Sequence, residues 1–154
     1  MLNPLRIHEL HSSVTLPAPI DRVFAFFSRA ENLDDITPPW LHFRITTPPP
    51  ISMAEGNLID YRIKLYSVPI RWRSKITEWN PPHSFTDEQI SGPYMAWKHH
   101  HFFNKTEGGT EVKDHVRYAV PGFVFEPIIQ WVFVKNHLDK IFAYRRQKLL
   151  TLFP

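Results

Sequence analysis

Fifteen prolines against five glycines cut this 154-residue chain into short, separately periodic pieces. Proline removes a backbone donor and fixes φ, so it is excluded from helix interiors and central strands. Its clusters at Pro17 and Pro19, Pro38 and Pro39, Pro48 to Pro50, Pro69, Pro81 and Pro82, and Pro93, with Pro121 and Pro127 later, mark where elements end. Between them the hydrophobic period changes twice. Residues 8–16 alternate, with His8, Leu10, Ser12, Val14 and Leu16 on one side, which predicts a strand. After Pro19, Ile20, Val23, Phe24 and Phe27 recur at helical spacing. A second short helix is expected over 31–36, stopped at Thr37-Pro38-Pro39-Trp40. Strands return near 41–47, 57–66, 70–79, 84–91, 95–104 and 110–120, joined by short turns that favour antiparallel neighbours.

The chain ends in a helix predicted over 127–152. Ile128, Trp131, Val134, Leu138, Ile141 and Phe142 form its apolar stripe, flanked by Lys135, Asp139, Lys140, Arg145 and Arg146. Ile129, Val132 and Phe133 make its first turns apolar nearly all round, so that half must be buried on several sides or meet a ligand, a membrane or a partner. The whole reads as one α+β domain over residues 1–154: a seven-stranded curved antiparallel sheet wrapped around a long C-terminal helix, with two short helices after strand 1.

Composition narrows the function classes. At 43% hydrophobic and 14% aromatic residues, the chain can bury a core. Cysteine is absent, which excludes disulfides, thiolate metal sites and a cysteine nucleophile, and suits the cytoplasm. The net charge of +3 comes from interspersed acids and bases, not the basic face of a nucleic-acid binder. The longest apolar stretch, 122–134, is broken by Glu126, Pro127 and Gln130 and falls short of the roughly 20 residues of a membrane span. Residues 1–10 hold Arg6, His8 and Glu9 and lack the apolar run of an export signal. A soluble, cytoplasmic protein with no transmembrane segment and no nucleic-acid partner is the expectation.

Strand geometry locates the polar residues of interest. Over 95–104, Trp97, His99, His101 and Phe103 share one face, and Lys98 on the other face makes theirs the interior one. Over 110–120, Val112, Asp114, Val116 and Tyr118 share a face, which sets Asp114 among apolar side chains. A hairpin turn at Glu107-Gly108 or Gly108-Gly109 puts His101 opposite Asp114 or Val116, so an Asp114–His101 contact with His99 nearby is expected in either register. Tyr61 and Trp72 point inward by the same alternation. A longer loop at Gly92-Pro93-Tyr94 would bring Asp87 alongside His99; a tighter one would bring Glu88. Four readings of His99, His101 and Asp114 stay open: a satisfied buried polar network, a polar anchor in an apolar pocket, general acid/base catalysis, or a metal site. No further ligand has recognisable metal spacing, so neither metal nor cofactor is expected. The phosphate-loop, dinucleotide, GxSxG and HExxH signatures are missing.

Several motifs together resemble one group of proteins. They are Ala18-Pro19 with Val23-Phe24 and Phe26-Phe27, Asn32-Leu33, Trp72 with Ile76, and Trp79 before Pro81-Pro82. Gly92-Pro93-Tyr94, Trp97-x-His99-x-His101-x-Phe103, Gly109-Thr110 with Asp114 and Tyr118, and Pro121-Gly122 complete the set. The chain resembles the START-like (SRPBCC) helix-grip superfamily, which includes bacterial polyketide cyclase/dehydrase and lipid-transport-like ligand-binding proteins. The resemblance implies a cavity between sheet and long helix that takes a hydrophobic or amphipathic small molecule. Tyr61, Trp72, Trp97, Phe103, Val116 and Tyr118 would wall it, Leu138 and Phe142 would close one side, and His99, His101 and Asp114 would orient a polar group. Two alternatives accompany this. One is a cyclase or dehydratase in which His101 and Asp114 transfer protons, with His99 as a further candidate. The other is a surface module that meets a homodimer or protein partner through the start of the C-terminal helix.

Overall fold

Alternation over the first segment produces β1 (His8–Leu16), and the change of period after Pro19 produces α1 (Ile20–Phe27). The computed structural model describes residues 4–154; the first three residues of the N-terminal stretch lie outside it. Pro19 caps α1 with a φ of −66°, Asp21 sits in its first turn, and Ile20, Val23, Phe24 and Phe27 are its buried face. A 3₁₀ helix over Ala30–Ile36 follows.

The predicted strand over 41–47 shrinks to β2 (Arg44–Ile45). Pro39–Leu41 forms a 3₁₀ turn and His42 takes a left-handed conformation with φ 47°, which breaks the extended run before it can pair. The remaining strands are β3 (Leu58–Leu65), β4 (Val68–Asn80), β5 (Ser84–Ser91), β6 (Ala96–Thr106) and β7 (Gly109–Ala119). They form one antiparallel sheet in the order β1-β7-β6-β5-β4-β3-β2, so the first and seventh strands pair. Register slips at Arg73/Ser74 and at Ile76/Glu78 interrupt the β4–β5 ladder, as bulges do where a sheet bends.

After a turn at Gly122, a continuous helical rod runs through α2 (Glu126–Ile129), a π-helical turn (Gln130–Val134) and α3 (Lys135–Leu152). The wider turn overturns part of the predicted stripe. A π turn accommodates one extra residue, so the position aligned with Val134 is five residues back, at Ile129. Ile129 and Val134 pack on the core, while Ile128 and Trp131 are 61% and 74% exposed. No helix among the described residues is long and apolar enough to cross a membrane.

Two parts of the core frame the concave face. At one end, Phe24 and Phe27 of α1 meet Phe85 and Phe103 of the sheet edge to face, with Leu149 of α3 in the same cluster. At the other, Val116, Tyr118 and Val120 of β7 pack beneath Leu138 and Phe142. The rod therefore lies over the β1–β7 half and leaves the β3–β6 half less covered.

Two substitutions test this frame. Phe103 is 1% exposed, and Phe103→Ala is expected to cost about 3–5 kcal/mol in chemical denaturation. Gly109 has φ +133°, and a Cβ there would meet the Leu16 carbonyl oxygen at 2.0 Å. Gly109→Ala is expected to destabilise by about 1–3 kcal/mol from backbone strain, before the clash is counted; a neutral result would contradict the close approach of the β6–β7 hairpin to the end of β1.

Candidate functional site

Side chains of β5, β6, β7 and α3 meet at one polar cluster on the concave face. The β6–β7 turn is Glu107-Gly108, which puts His101 opposite Asp114 and His99 opposite Val116. Asp114 is 5% exposed and makes its shortest bond diagonally, to His99 Nε2 at 2.8 Å. His101 Nδ1 lies 3.5 Å from the same carboxylate oxygen, and His101 Nε2 bonds Asp87 at 2.7 Å. The expected Asp114–His101 contact is thus the longer of two. Asp87 reaches the cluster because β5 pairs it with His99, the register of the longer loop. Gln89 holds that loop in place: its Oε1 accepts from Tyr94 N and its Nε2 donates to Tyr94 O.

The sequence reading placed Arg145 on the flank of the helix; the structure buries it. Its guanidinium is 3.3 Å from Asp114 and stacks over Phe27 and Phe142. The signal was present in the spacing. Leu138, Phe142, Arg145 and Leu149 follow one another at intervals of four, three and four, and all are buried. A buried arginine is rare without a partner, and Asp114 is that partner.

Acidic and basic groups face one another across the cluster. Burial opposes ionisation of Asp114, but Arg145 and the bonds from His101 and His99 hold its carboxyl well below the usual range. Asp87 is also lowered against the cost of burial, chiefly by its bond to His101. Burial alone would lower His101, yet its bonds to Asp114 and Asp87 prevail and raise it. His99 goes the other way: burial, then the neighbouring His101, push it down to about 4 in spite of Asp114. Near neutral pH two carboxylates face Arg145 and a His101 that favours its proton, while His99 is neutral. With Nε2–H donated to Asp114, the His99 ring keeps Nδ1 as an acceptor. His101 is sandwiched between the Phe85 ring at 4.0 Å and the His99 ring at 3.7 Å.

Two chambers adjoin the cluster and share Tyr61, Asp87, His101 and Arg145 among their walls. The smaller, about 80 Å³, runs under α1 and the Ala30–Ile36 helix against Ile59, Ser74 and Phe85. The larger, about 150 Å³, is bounded by Trp72, Trp97, His99, Leu138 and Phe142. Each exceeds the roughly 10–15 Å³ that one water requires. Of the wall residues expected from sequence, Phe103, Val116 and Tyr118 line neither chamber. Phe103 is in the core under α1, and the rod covers Val116 and Tyr118. Asp114 also lines neither chamber and sits behind the histidines. Three buried nitrogens, Trp72 Nε1, Arg145 Nε and His137 Nε2, have no hydrogen-bond partner among the described residues, and all three residues line the larger chamber.

Asp87, His99 and His101 bring ligating atoms within 4.8 Å of one another, the donor set of a two-histidine, one-carboxylate metal site. The fixed charge of Arg145, 3.5 Å from His101 Nδ1, opposes a divalent cation there, and one nitrogen of each ring is already bonded to a carboxylate. The geometry favours proton-sharing over metal chemistry.

No curated protein matches the chain in sequence. Solved structures match its fold. Protein Ms6760 from Mycobacterium smegmatis aligns with a TM-score of 0.70 at 16% identity, covering 94% of this chain and 89% of its own. The ginseng major latex-like protein 151 from Panax ginseng gives 0.69 at 12% identity, covering 98% and 99%. A norcoclaurine synthase point mutant from Thalictrum flavum, in complex with a transition state analogue, gives 0.70 at 15%, covering 98% and 96%. At such identities the likeness establishes the helix-grip fold and nothing finer. Residues 16–139 match the family described as polyketide cyclase / dehydrase and lipid transport, and the chain belongs to that family.

Proposed function

We propose that the protein binds a hydrophobic or amphipathic small molecule, lipid- or polyketide-like, in the chambers between the sheet and the C-terminal helix. The observation that carries this reading is that Trp72 Nε1 and Arg145 Nε, buried donors without a partner among the described residues, belong to residues lining a chamber whose walls are mostly apolar. Buried polar groups without partners are costly, and ligand pockets typically set a few polar groups in greasy walls. Tyr61, Trp72, Trp97, Leu138 and Phe142 supply the apolar surface. Trp72 Nε1, Arg145 Nε and His99 Nδ1 receive a carbonyl or hydroxyl, with Asp114 holding His99 from behind and Asp87 holding His101 at the chamber wall. Because Asp114 and Asp87 are already engaged by Arg145 and the histidines, a neutral polar group suits the cluster better than an ionised one. Family membership and fold support the same class of ligand.

A second reading is favoured by the His99–Asp114 bond. A neutral imidazole oriented by a carboxylate is the arrangement of a general base, and His101 beside it favours its proton. One structural neighbour is a synthase. On this reading His101→Ala abolishes turnover of the bound molecule and leaves its binding largely intact; equal loss of both would count against it.

Native mass spectrometry of gently purified protein, followed by organic extraction, is expected to reveal an apolar molecule at one per chain. In calorimetry, the neutral aromatic alcohol 2-naphthol is expected to bind saturably. Ile63→Trp, which fills the larger chamber from its wall, should weaken that binding by about tenfold or more with the circular dichroism unchanged. Unaltered affinity would remove the chamber from the account.

The two histidines also set opposite limits on stability. His99 is depressed in the folded state, so its contribution is present above its ordinary value of 6.5 and is lost as pH falls towards about 4. His101 is raised, so its contribution is present below 6.5 and is lost as pH rises through its elevated value. Thermal stability is therefore expected to peak near pH 6.5, and His99→Gln should flatten the acid limb selectively. A monotonic profile would show that the cluster does not titrate in this way.

A further inference from the structure

The sheet has one end where β1 begins, β3 and β4 turn, β5 and β6 turn, and β7 stops. Among the described residues, every exposed large apolar side chain except Trp40, Leu58, Phe102 and Leu150 sits on the segments gathered at this end. Phe123, Val124 and Phe125 project from the turn after Gly122, at 95%, 80% and 65% exposure. Trp131 follows on the π-helical turn, where the one-residue slip described above faces it outwards. Tyr66 is added by the β3–β4 turn, whose ring packs against Phe133. Elements far apart in sequence thus converge on one apolar pole. Such patches on folded proteins mark interaction sites.

Charge and shape together select the occupant. The segments of the pole, residues 4–8, 64–69, 90–96 and 120–135, carry Arg6, Lys64 and Lys135, all exposed, and a single acid. That acid, Glu126, is 7% exposed and held by His8 and by Arg6 at 3.6 Å, so it presents no free negative charge. Beside the pole, Glu9 on the outer face of β1 is engaged by Arg117 and His115, each at 3.4 Å, and Asp139, one turn beyond Lys135, is an exposed acid at its edge. An apolar tip rich in Trp, Tyr and Phe with a basic fringe complements an anionic lipid surface, where aromatic rings partition at headgroup depth. A side chain as free as Phe123 stands clear of the molecular surface. A bilayer accepts such protrusions without a matching hollow, whereas a twofold dimer requires the patch to be complementary to itself.

We infer that this end of the molecule docks on anionic membranes, inserting Phe123, Val124, Phe125 and Trp131 at the interface while Lys64 and Lys135 meet lipid phosphates. The inference stands whether or not the chambers hold a ligand. If they do, docking brings the larger chamber close to the bilayer, because Leu65 and Tyr94 on its wall belong to the same end of the sheet.

Flotation of the full chain with vesicles tests it. Vesicles of phosphatidylcholine alone are compared with vesicles of equal parts phosphatidylcholine and phosphatidylglycerol. The wild-type chain is expected to float with the anionic vesicles, more weakly with the neutral ones, and less as salt is raised. The double variant Phe123→Glu, Trp131→Glu is expected to lose about tenfold or more in vesicle affinity. Its fold should be preserved, since both side chains project into solvent, and circular dichroism checks this. Lys64→Gln with Lys135→Gln should weaken binding to anionic vesicles only. Failure of the wild-type chain to float with either vesicle, or equal flotation of the double glutamate variant, overturns the inference. So does a dimer in light scattering that the same variant dissociates and that excludes vesicle binding; the cover would then be a second copy of the chain.

Discussion

A carboxylate taken out of water on the concave face obliges a strand and a helix to converge on it. Asp114 is reached by His99 and His101 from the neighbouring strand and by Arg145 from the C-terminal helix. Left without those partners, a buried ion costs several kcal/mol, so about 3–5 kcal/mol rides on keeping each one in place. The helix is thereby fixed in rotation as well as in position: only the face carrying Leu138, Phe142, Arg145 and Leu149 can turn inwards. Because the rod lies over β1 and β7, the opposite half of the sheet is left under a thinner roof, and the chambers occupy that space.

The fold was legible because local periods and turn chemistry agree with the global arrangement. β1 and α1 fall on the residues that their alternation and helical spacing marked, and the alternation of β6 and β7 put His99, His101 and Asp114 on one interior face. What sequence could not supply was contact across elements. Strand registry allowed Asp114 to approach either histidine, and the choice of His99 depends on side-chain directions that alternation does not contain. Arg145 was hidden for a different reason. An arginine within a helix is ordinarily read as a solvent-facing charge, and only the partner waiting on β7 makes its inward position affordable. Phe103, Val116 and Tyr118 face inwards as their spacing required, but whether an inward residue lines a space or fills one depends on where the rod lies above it.

The polar cluster and the apolar pole are chemically unlike and structurally linked. Inside, Asp114 and Asp87 face Arg145 and the histidines beside two chambers. Outside, at the end of the sheet, apolar bulk is left without cover and is fringed by Lys64 and Lys135. The β3 end and the β5–β6 turn belong to both: Leu65 and Tyr94 wall the larger chamber, while Tyr66 and Met95 next to them are exposed. A displacement of either turn would be felt on both sides.

The π-helical turn makes length itself an encoded property of the rod. Downstream of Gln130–Val134 the helix is locked by Arg145, and upstream it is tied by Gln130 to the Tyr118 hydroxyl at 2.8 Å and by Glu126 to β1. Removing one residue between these anchors would let the turn relax to an ordinary α-helix. The residues before it would then be carried round by roughly 100°, the angle between successive positions on a helix of 3.6 residues per turn. Such a deletion would remove no residue of the polar cluster, yet it would exchange which side chains before the turn meet the solvent and which meet the sheet. Substitutions in this stretch can be judged one side chain at a time; insertions and deletions cannot, because they rewrite the surface as a whole.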